Sequence, residues 1–299
     1  AEKCTAKVVQ IDNIFGLYDS KVFLPPDRLN KSIESYSKRI LIFPYLRINK
    51  GQKLLKNISF TSALANSDLT SEKNRDSQLS YCGCQYKWQH YNHTCYARYD
   101  IQRPNKLANA TAKRHCEFIA GRYCAIRAIQ SLRQPPNSVS QTQIPMQPDG
   151  RPLWPEGIIG SISHSGDRAM AGVGSADSYT GLGIDCETLL TDSAAKEIAD
   201  LVMEPLEKEL LLDRHPEYGL LLTLAFSAKE SLFKALWPSL SSVKSFHDFS
   251  IYSISASKLI LRPTKRLNSN WSGATAFSID YIKQSKHVVT MAAITSPGR

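Results

Sequence analysis

The feature that most constrains the fold is a long amphipathic helix pattern in the middle of the chain, "TAKRHCEFIAGRYCAIRAIQSLRQPP", which Pro135 and Pro136 end. At about 100° per residue, its apolar side chains share one arc of roughly 140°. These side chains are Phe118, Ile119, Ala125, Ile126, Ile129 and Leu132. Another element must cover such a stripe, so the pattern predicts a layered domain around a core.

Arg122 lies in the middle of that apolar arc. An unpaired buried charge is expensive, so a guanidinium in this place needs an anion. Alternatively, Arg122 extends to the rim of the core with only its methylene groups buried, or it meets an internal acid. The sequence alone leaves a bound anion and these structural roles open.

Strand-type and helical segments alternate after the helix. The first strand-type segments are "GIIGSISHS", "AMAGVG" and "GLGID", and the last are "FSIYSIS", "KLILRP", "ATAFSIDYI" and "HVVTMAAI". Between these groups, helical patterns cover residues 191–213 and "LLLTLAFSAKESLFKALW". This order predicts an α+β fold with antiparallel pairing toward the C-terminus. Residues 1–75 show no catalytic pattern, and we treat them as an N-terminal extension of unknown role.

Charge and hydropathy narrow the functional classes. The chain has 37 Lys and Arg against 27 Asp and Glu, a formal charge of +10, which predicts an anionic partner such as phosphates, nucleic acid or an acidic protein. No apolar run approaches the roughly 18 residues of a membrane span, and the start of the chain lacks the apolar core of a signal peptide. Seven scattered cysteines fit reduced thiols in a cytoplasm better than a disulfide framework.

One cysteine-rich segment, "CGCQYKWQHYNHTC", has metal-ligand residue types. It places Cys82, Cys84, His90, His93 and Cys95 close together in sequence, and thiols with imidazoles are zinc ligands. The C-x-C spacing differs from the usual C-x2-C knuckle, however, and the intervening aromatic residues suggest a hairpin. A zinc site and a hairpin without metal both stay open.

Two acids, Asp185 and Glu187, end the apolar run "GLGIDCETLL". In a β-strand these side chains project from the same face, while Cys186 points the other way into the core. Carboxylates that close together raise each other's pKa unless a divalent cation or a basic side chain lies between them. The alternative is a strand end with ordinary surface acids.

The helical segment "FSAKESLFKAL" carries Lys229, Glu230 and Lys234. If this helix meets the strand end, it supplies a third carboxylate for a metal and two ammonium groups for phosphate oxygens. A structural explanation also exists, because Ser227 and Glu230 match a capping box, and Glu230 and Lys234 match a stabilising helical pair.

Two further motifs carry residues suited to phosphate binding. "GSISHSG" departs from the nucleophile elbow of serine hydrolases, because Ser163, which His164 follows, lacks the two flanking glycines of that motif. His164 is more plausible as a hydrogen-bond donor to a phosphate. In "DGRPLWP", a turn holds Arg151 out from rigid backbone, where the guanidinium suits bidentate phosphate contact or is an ordinary surface arginine.

Together, four motifs resemble the 4'-phosphopantetheinyl transferases, most closely the enterobactin synthase component D type. They are "KRHCEFIAGR", "GRPLWPEGIIGSISHS", "GLGIDCE" and "LTLAFSAKESLFKA", and the resemblance runs from about residue 104 to 293. It implies two similar α+β lobes related by a pseudo-twofold axis, with coenzyme A and Mg²⁺ in the cleft between them. The lobes would be residues 76–182 and 183–299, after the extension at 1–75.

The resemblance also implies the reaction and its partners. The 4'-phosphopantetheine group of coenzyme A would pass to a serine hydroxyl of an apo acyl or peptidyl carrier protein, releasing adenosine 3',5'-bisphosphate. Such a transfer serves siderophore biosynthesis, enterobactin included, or other nonribosomal peptide and polyketide pathways. We expect a monomer in the cytoplasm, without nucleic acid or a membrane span.

Residue roles follow from matching the motifs. The resemblance makes Asp185, Glu187 and Glu230 the Mg²⁺ carboxylates, with Glu230, Lys234 and Asp185 as the catalytic group. The residues that would line the phosphates or adenosine of coenzyme A are Arg114, Arg122, Arg151, Ser163, His164, Lys229 and Lys234. In chemical terms, Glu230 would take the proton from the carrier serine and Lys234 would stabilise or protonate the leaving phosphate.

Two other functions use some of the same features. A metal-dependent phosphodiesterase or nuclease would share the carboxylates and the basic charge. A non-enzymatic basic protein that holds nucleic acid or a carrier domain would need no grouped carboxylates.

Overall fold

The computed structural model describes residues 79–132, 143–212, 216–237, 243, 245–267 and 274–295. The predicted extension at 1–75 lies outside these residues. Two antiparallel sheets and their helices make up the described part, which confirms the α+β class. None of its helices is both long and apolar enough to cross a membrane.

A three-stranded sheet and one long helix form the first half. The strands, in the spatial order β1-β3-β2, are β1 (Leu79–Gln85), β3 (Arg168–Ser175) and β2 (Ile158–Ser165). A short helix α1 (Thr94–Arg98) precedes the long helix α2 (Ala112–Gln130), with single 3-10 turns at Trp88–His90 and Asn105–Leu107. The Thr111 hydroxyl caps α2 by accepting from the Arg114 N–H. The predicted amphipathic helix is thereby confirmed, and its apolar face packs on the sheet.

A five-stranded sheet and three helices form the second half. The strands, in the order β4-β8-β7-β6-β5, are β4 (Tyr179–Thr188), β8 (His287–Thr295), β7 (Phe277–Lys283), β6 (Lys258–Pro263) and β5 (Phe249–Ile254). The helices are α3 (Asp192–Val202), α4 (Pro205–Leu211) and α5 (Tyr218–Leu236), with a 3-10 turn at Phe246–Asp248. Helix α5 lies across β4 and β8, and α3 packs on α5. All four C-terminal strands pair antiparallel, as predicted.

Two glycines of β4 let α5 touch the strand with its backbone. A Cβ at Gly183 would lie 1.8 Å from the Ser231 carbonyl oxygen, and one at Gly181 would lie 2.1 Å from the Ala235 carbonyl oxygen. Any larger residue would force the helix away. The sequence "GLGID" therefore sets the distance between α5 and the strand that carries Asp185.

Three sequence predictions change in detail. The helix expected over 191–213 is broken, because Pro205 begins α4 and Glu204 before it is extended, at φ −66° and ψ 152°. Ser227 is no capping residue: it is buried inside α5, with Oγ 2.9 Å from Thr290 Oγ1. The expected lobe boundary at 182/183 falls inside β4, a strand of the five-stranded sheet.

The cysteine-rich segment forms β1 and short helices rather than a hairpin. Cys82 and Cys84 are buried beneath α2, where Cys84 Sγ lies 3.4 Å from Cys124 Sγ. His90 and His93 are exposed. The thiols and the imidazoles therefore do not converge on a zinc site within the described ranges.

Candidate active site

Strands β2 and β4 pack against each other where the two sheets meet, and their side chains pair across this junction. Ser163 Oγ donates to Asp185 Oδ1 at 2.9 Å, and Ser165 Oγ donates to Glu187 Oε2 at 2.9 Å. Both carboxylates project from one face, as the two-residue period predicts. Cys186 points to the opposite face and is fully buried in a cluster of apolar side chains, which confirms its expected orientation.

Helix α5 adds a cation to this pair of strands. Lys234 Nζ donates to Asp185 Oδ1 at 2.7 Å and lies 3.3 Å from both Ser163 Oγ and the Ile184 carbonyl oxygen. Burial opposes the charge on the ammonium group, but Asp185 and Glu230 outweigh it and raise the pKa of Lys234. Lys234 is therefore protonated at neutral pH and partly neutralises the acids.

The remaining negative charge is not fully compensated. Burial, with the nearby Asp185 carboxylate, raises the pKa of Glu187 to about 8. Burial also raises the pKa of Glu230 to about 7, with Asp185 adding to the effect and Lys234 opposing it. Asp185 is 2% exposed, and its Oδ2 has no hydrogen-bond partner in the described part of the chain. Another positive charge nearby would stabilise the ionised form of all three carboxyl groups.

The chemistry of these donors fits Mg²⁺, which prefers carboxylate oxygens. The buried, unpaired Asp185 Oδ2 is a suitable ligand atom. Within the described ranges, however, no three His, Cys, Asp or Glu side chains are grouped closely enough to bind a metal ion by themselves. Mg²⁺ is commonly held by one or two carboxylates together with substrate phosphates. The cluster therefore suits an ion shared between the protein and a phosphate ligand.

A basic group lies on the other face of β2, where His164 points toward α2. Arg114 Nη1 lies 3.2 Å from His164 Nε2 and 3.2 Å from Glu117 Oε2. Because a guanidinium only donates hydrogen bonds, Nε2 of His164 accepts and its proton is on Nδ1. Burial lowers the pKa of His164 to about 4, so the ring is neutral and Nδ1–H is its donor at pH 7.

Arg122 is buried, so it does not extend to the rim of the core. It is 5% exposed, its Nε donates to the Ile144 carbonyl oxygen at 2.7 Å, and its guanidinium lies 4.5 Å from the centre of the Phe118 ring. Burial, followed by the charge of Arg114, lowers the pKa of Arg122 to about 10. The cation thus fixes the segment around Ile144 against α2.

Arg151 lies in the turn that the sequence predicts. Its Nε donates to Asp149 Oδ2 at 2.7 Å, and the side chain is partly exposed. This ion pair holds the guanidinium at the surface of the turn.

Lys229 faces away from the acids, although it precedes Glu230 in sequence. Its Nζ donates to Glu207 Oε2 and to the Val202 carbonyl oxygen, both at 2.8 Å, and the side chain is 1% exposed. Glu207 Oε1 in turn accepts from the Ile251 N–H at 2.7 Å. The structure therefore places Lys229 in a buried network among α3, α4 and β5, and not with Asp185.

The sequence prediction does not include three residues that contact predicted site residues: Ser165, Glu117 and Glu207. Glu117 follows Arg114 by three residues on one helix, a spacing that signals their contact. Ser165 follows Ser163 by two residues on one strand, which signals a shared face. Nothing in the sequence near Glu207 indicates its contact with Lys229.

Comparison with known proteins identifies the family of the chain. Residues 103–174 match the 4'-phosphopantetheinyl transferase N-terminal domain, and residues 181–292 match the 4'-phosphopantetheinyl transferase superfamily. Enterobactin synthase component D of Salmonella typhimurium is 30% identical over 192 residues, which are 64% of this chain and 77% of that protein. The protein of the same name from Escherichia coli K12 is 32% identical over 187 residues, 62% of this chain and 80% of that protein.

Among solved structures, the holo-[acyl-carrier-protein] synthase of Thermotoga maritima aligns with a TM-score of 0.31 and 22% identity. The alignment covers 40% of this chain and 64% of that chain.

The two family matches span both halves of the described structure. The first contains Arg114 and His164, and the second contains Asp185, Glu230 and Lys234. The resemblance predicted from four sequence motifs is thereby confirmed. The chain belongs to the 4'-phosphopantetheinyl transferase superfamily.

Proposed function

We propose that this phosphopantetheinyl transferase moves the 4'-phosphopantetheine group of coenzyme A to a serine hydroxyl of an apo carrier protein. Adenosine 3',5'-bisphosphate is the second product. The observation that carries the proposal is the meeting of β2, β4 and α5 around Asp185, with Ser163 at 2.9 Å and Lys234 at 2.7 Å. No nucleophile of this chain is needed, because the attacking hydroxyl belongs to the carrier.

Asp185, Glu187 and Glu230 would hold Mg²⁺ in this proposal. A bound Mg²⁺ neutralises charge on the pyrophosphate of coenzyme A. The unpaired Asp185 Oδ2 and the raised pKa values of Glu187 and Glu230, about 8 and about 7, support this role. Each carboxylate then becomes ionised more readily, because a nearby cation favours the charged form.

Glu230 and Lys234 divide the proton chemistry. Glu230 takes the proton of the carrier serine as the serine oxygen bonds to the phosphorus next to the pantetheine, and a positioned carboxylate can act as general base in this step. The bond from that phosphorus to the bridging oxygen breaks. Lys234, protonated at neutral pH, donates a hydrogen bond to the departing phosphate. Glu230 interacts electrostatically with Lys234 and Asp185, and this proximity supports the assignment.

The basic group on the other face of β2 would bind the phosphates or adenosine of coenzyme A. Arg114 and His164 already contact each other at 3.2 Å, and His164 has its Nδ1–H as donor. Arg122 on α2 and Arg151 in the turn of "DGRPLWP" would add charge. We leave Lys229 out of this set, because its buried ion pair with Glu207 accounts for its charge.

The expected partners follow from charge and relatives. A formal charge of +10 suits coenzyme A and an acidic carrier protein. Relatives named enterobactin synthase component D suggest a carrier of siderophore or other nonribosomal peptide biosynthesis. We expect the enzyme to act as a monomer in the cytoplasm.

The test is to incubate the full chain with coenzyme A, Mg²⁺ and an apo carrier domain and to weigh the carrier by mass spectrometry. The carrier should gain one phosphopantetheine group. Asp185→Ala should abolish the gain while circular dichroism shows a folded protein. Phosphodiester hydrolysis without carrier modification would favour the phosphodiesterase or nuclease. If coenzyme A binds equally well with and without Mg²⁺ and no phosphopantetheine is transferred, a non-enzymatic binding protein would be favoured.

A further inference from the structure

The two hydrogen bonds between serine hydroxyls of β2 and carboxylates of β4 repeat at the same two-residue spacing on both strands. Strand β2 presents Ser163 and Ser165, two residues apart, and β4 presents Asp185 and Glu187, also two residues apart. Each hydroxyl donates to its own carboxylate at 2.9 Å. Side chains two residues apart lie on the same face of a strand, so the two contacts are successive rungs between the strands. Ser163 is already expected to line the coenzyme site, but Ser165 has no assigned role.

Both hydroxyls are oriented by a second contact. Ser163 Oγ accepts from Lys234 Nζ at 3.3 Å, and Ser165 Oγ accepts from the Thr188 backbone N–H at 3.3 Å. A hydroxyl can accept and donate at the same time, so Ser165 accepts from this N–H while it donates its proton to Glu187 Oε2. The backbone of β4 thus fixes the direction in which Ser165 donates.

The turn after Ser165 fixes the end of β2. Gly166, at φ 61°, is the first of the two residues that join β2 to β3, a position where glycine is favoured in hairpin turns. A Cβ at Gly166 would lie 3.3 Å from Thr188 Oγ1. The hairpin end is therefore packed against the end of β4, which keeps Ser165 beside Glu187.

We propose that Ser165 is a positioning residue that holds the Glu187 carboxylate in one orientation for a divalent cation. This inference rests on the proposed function of the site. A glutamate side chain loses rotamer freedom when it binds a cation, and a hydrogen bond that restricts it beforehand reduces this loss. Partners that orient metal ligands typically change metal affinity about 10- to 100-fold when they are removed.

Ser161 provides a matched control. It lies on the same strand and the same face as Ser165, and it is 6% exposed. Ser163 pairs with Asp185 and Ser165 pairs with Glu187. By the same two-residue spacing, Ser161 corresponds to Gly183 of β4, which has no side chain to orient. Ser161→Ala therefore removes the same hydroxyl from the same strand without affecting a carboxylate.

The experiment measures Mn²⁺ binding to the full chain by electron paramagnetic resonance of the free ion. Saturating coenzyme A is present, and coenzyme A without protein is the blank. We expect Ser165→Ala to weaken binding about 10-fold, and Ser165→Thr, which retains the hydroxyl, to stay within about 2-fold of the unmodified protein. Ser161→Ala should bind as the unmodified protein does. At saturating Mn²⁺, kcat of Ser165→Ala should fall by less than about 3-fold, because positioning acts on affinity.

Different outcomes separate the inference from the proposed function. If the unmodified protein binds no Mn²⁺ and modifies no carrier, both the role of Ser165 and the proposed function are overturned. If it binds Mn²⁺ and modifies the carrier but Ser165→Ala binds Mn²⁺ equally well, only the role of Ser165 is overturned. Equal losses in Ser165→Ala and Ser161→Ala also overturn it, because strand packing would then explain the effect.

Discussion

Neighbouring residues of α5 contact different parts of the structure, because successive helical positions point about 100° apart. Lys229 is directed into the core toward Glu207, while Glu230 and Lys234 are directed toward Asp185. The sequence places all three in one motif, and it does not distinguish a cation that binds substrate from one that binds a buried acid. Burial of the Lys229 side chain, 1% exposed, makes that distinction.

Lys229→Met should therefore destabilise the protein without removing a coenzyme contact. The substitution leaves Glu207 buried without its cation, which costs about 3–5 kcal/mol. Adding Glu207→Gln should restore much of that loss, because Gln removes the buried unpaired charge and still accepts from the Ile251 N–H. Urea unfolding measures the stability, and initial rates measure the KM for coenzyme A. If the stable double variant has a strongly raised KM, Lys229 binds the coenzyme after all.

The pKa of Glu230 predicts the pH dependence of transfer. Glu230 accepts a proton only when ionised, and burial raises its pKa to about 7. At low Mg²⁺, kcat/KM should therefore fall as pH drops from about 8, where Glu187 takes up a proton, through about 7, where Glu230 does. The fall should move to lower pH as Mg²⁺ is raised, since a cation favours the carboxylate. Glu230→Gln should abolish transfer across the range. A profile that is flat from pH 6 to 8 at low Mg²⁺ would contradict Glu230 as the base.

Helix α5 and strand β4 act as one unit, because their backbones touch at Gly181 and Gly183. This contact brings Lys234 Nζ to 2.7 Å from Asp185 Oδ1. The helix is buried along most of its length, so it cannot shift without disturbing the core of the second half. The geometry of the site is thus set by two positions that have no side chain.

Gly183→Ala should reduce transfer by at least about 100-fold and lower stability by about 1–3 kcal/mol. The added Cβ would meet backbone, the Ser231 carbonyl oxygen at 1.8 Å, so α5 must move and separate Lys234 from Asp185. Gly172→Ala is the control, because its Cβ would lie 3.3 Å from Leu182 Cδ2, a side-chain atom that can shift. Carrier modification and thermal unfolding measure both effects. Equal activity of the two variants would contradict this account.

The elements with clear periodicity were predictable from the sequence. Helices α2 and α5 and strands β2 to β8 correspond to patterned segments, and the two-residue period put Asp185 and Glu187 on one face. Strand β1 does not stand out in the sequence, because five of its seven residues are buried and the segment shows no alternation of apolar and polar side chains. The contacts of Ser165 and Glu207 reach residues distant in sequence, and they follow from packing that no local pattern specifies.

At the scale of the whole molecule, the acids lie where the two sheets meet. Ser163 and Ser165 come from the first half, and Asp185, Glu187 and Lys234 come from the second. A second link between the halves is the hydrogen bond from Arg168 on β3 to Gln284 after β7. A ligand that engages both groups of residues connects the two halves, so its binding should stabilise the entire described structure.

Coenzyme A with Mg²⁺ should therefore raise the melting temperature more than either does alone. At 100 times its Kd a ligand adds about 2.7 kcal/mol to the free energy of unfolding, and for a protein of this size each kcal/mol raises Tm by roughly 2–4 °C. Removing Mg²⁺ with a chelator should remove most of that gain, because the acids then repel the pyrophosphate. Asp185→Ala should show little difference with and without Mg²⁺, since it lacks the buried carboxylate whose Oδ2 is unpaired. An equal rise in Tm with coenzyme A alone would contradict a metal shared between the acids and the coenzyme.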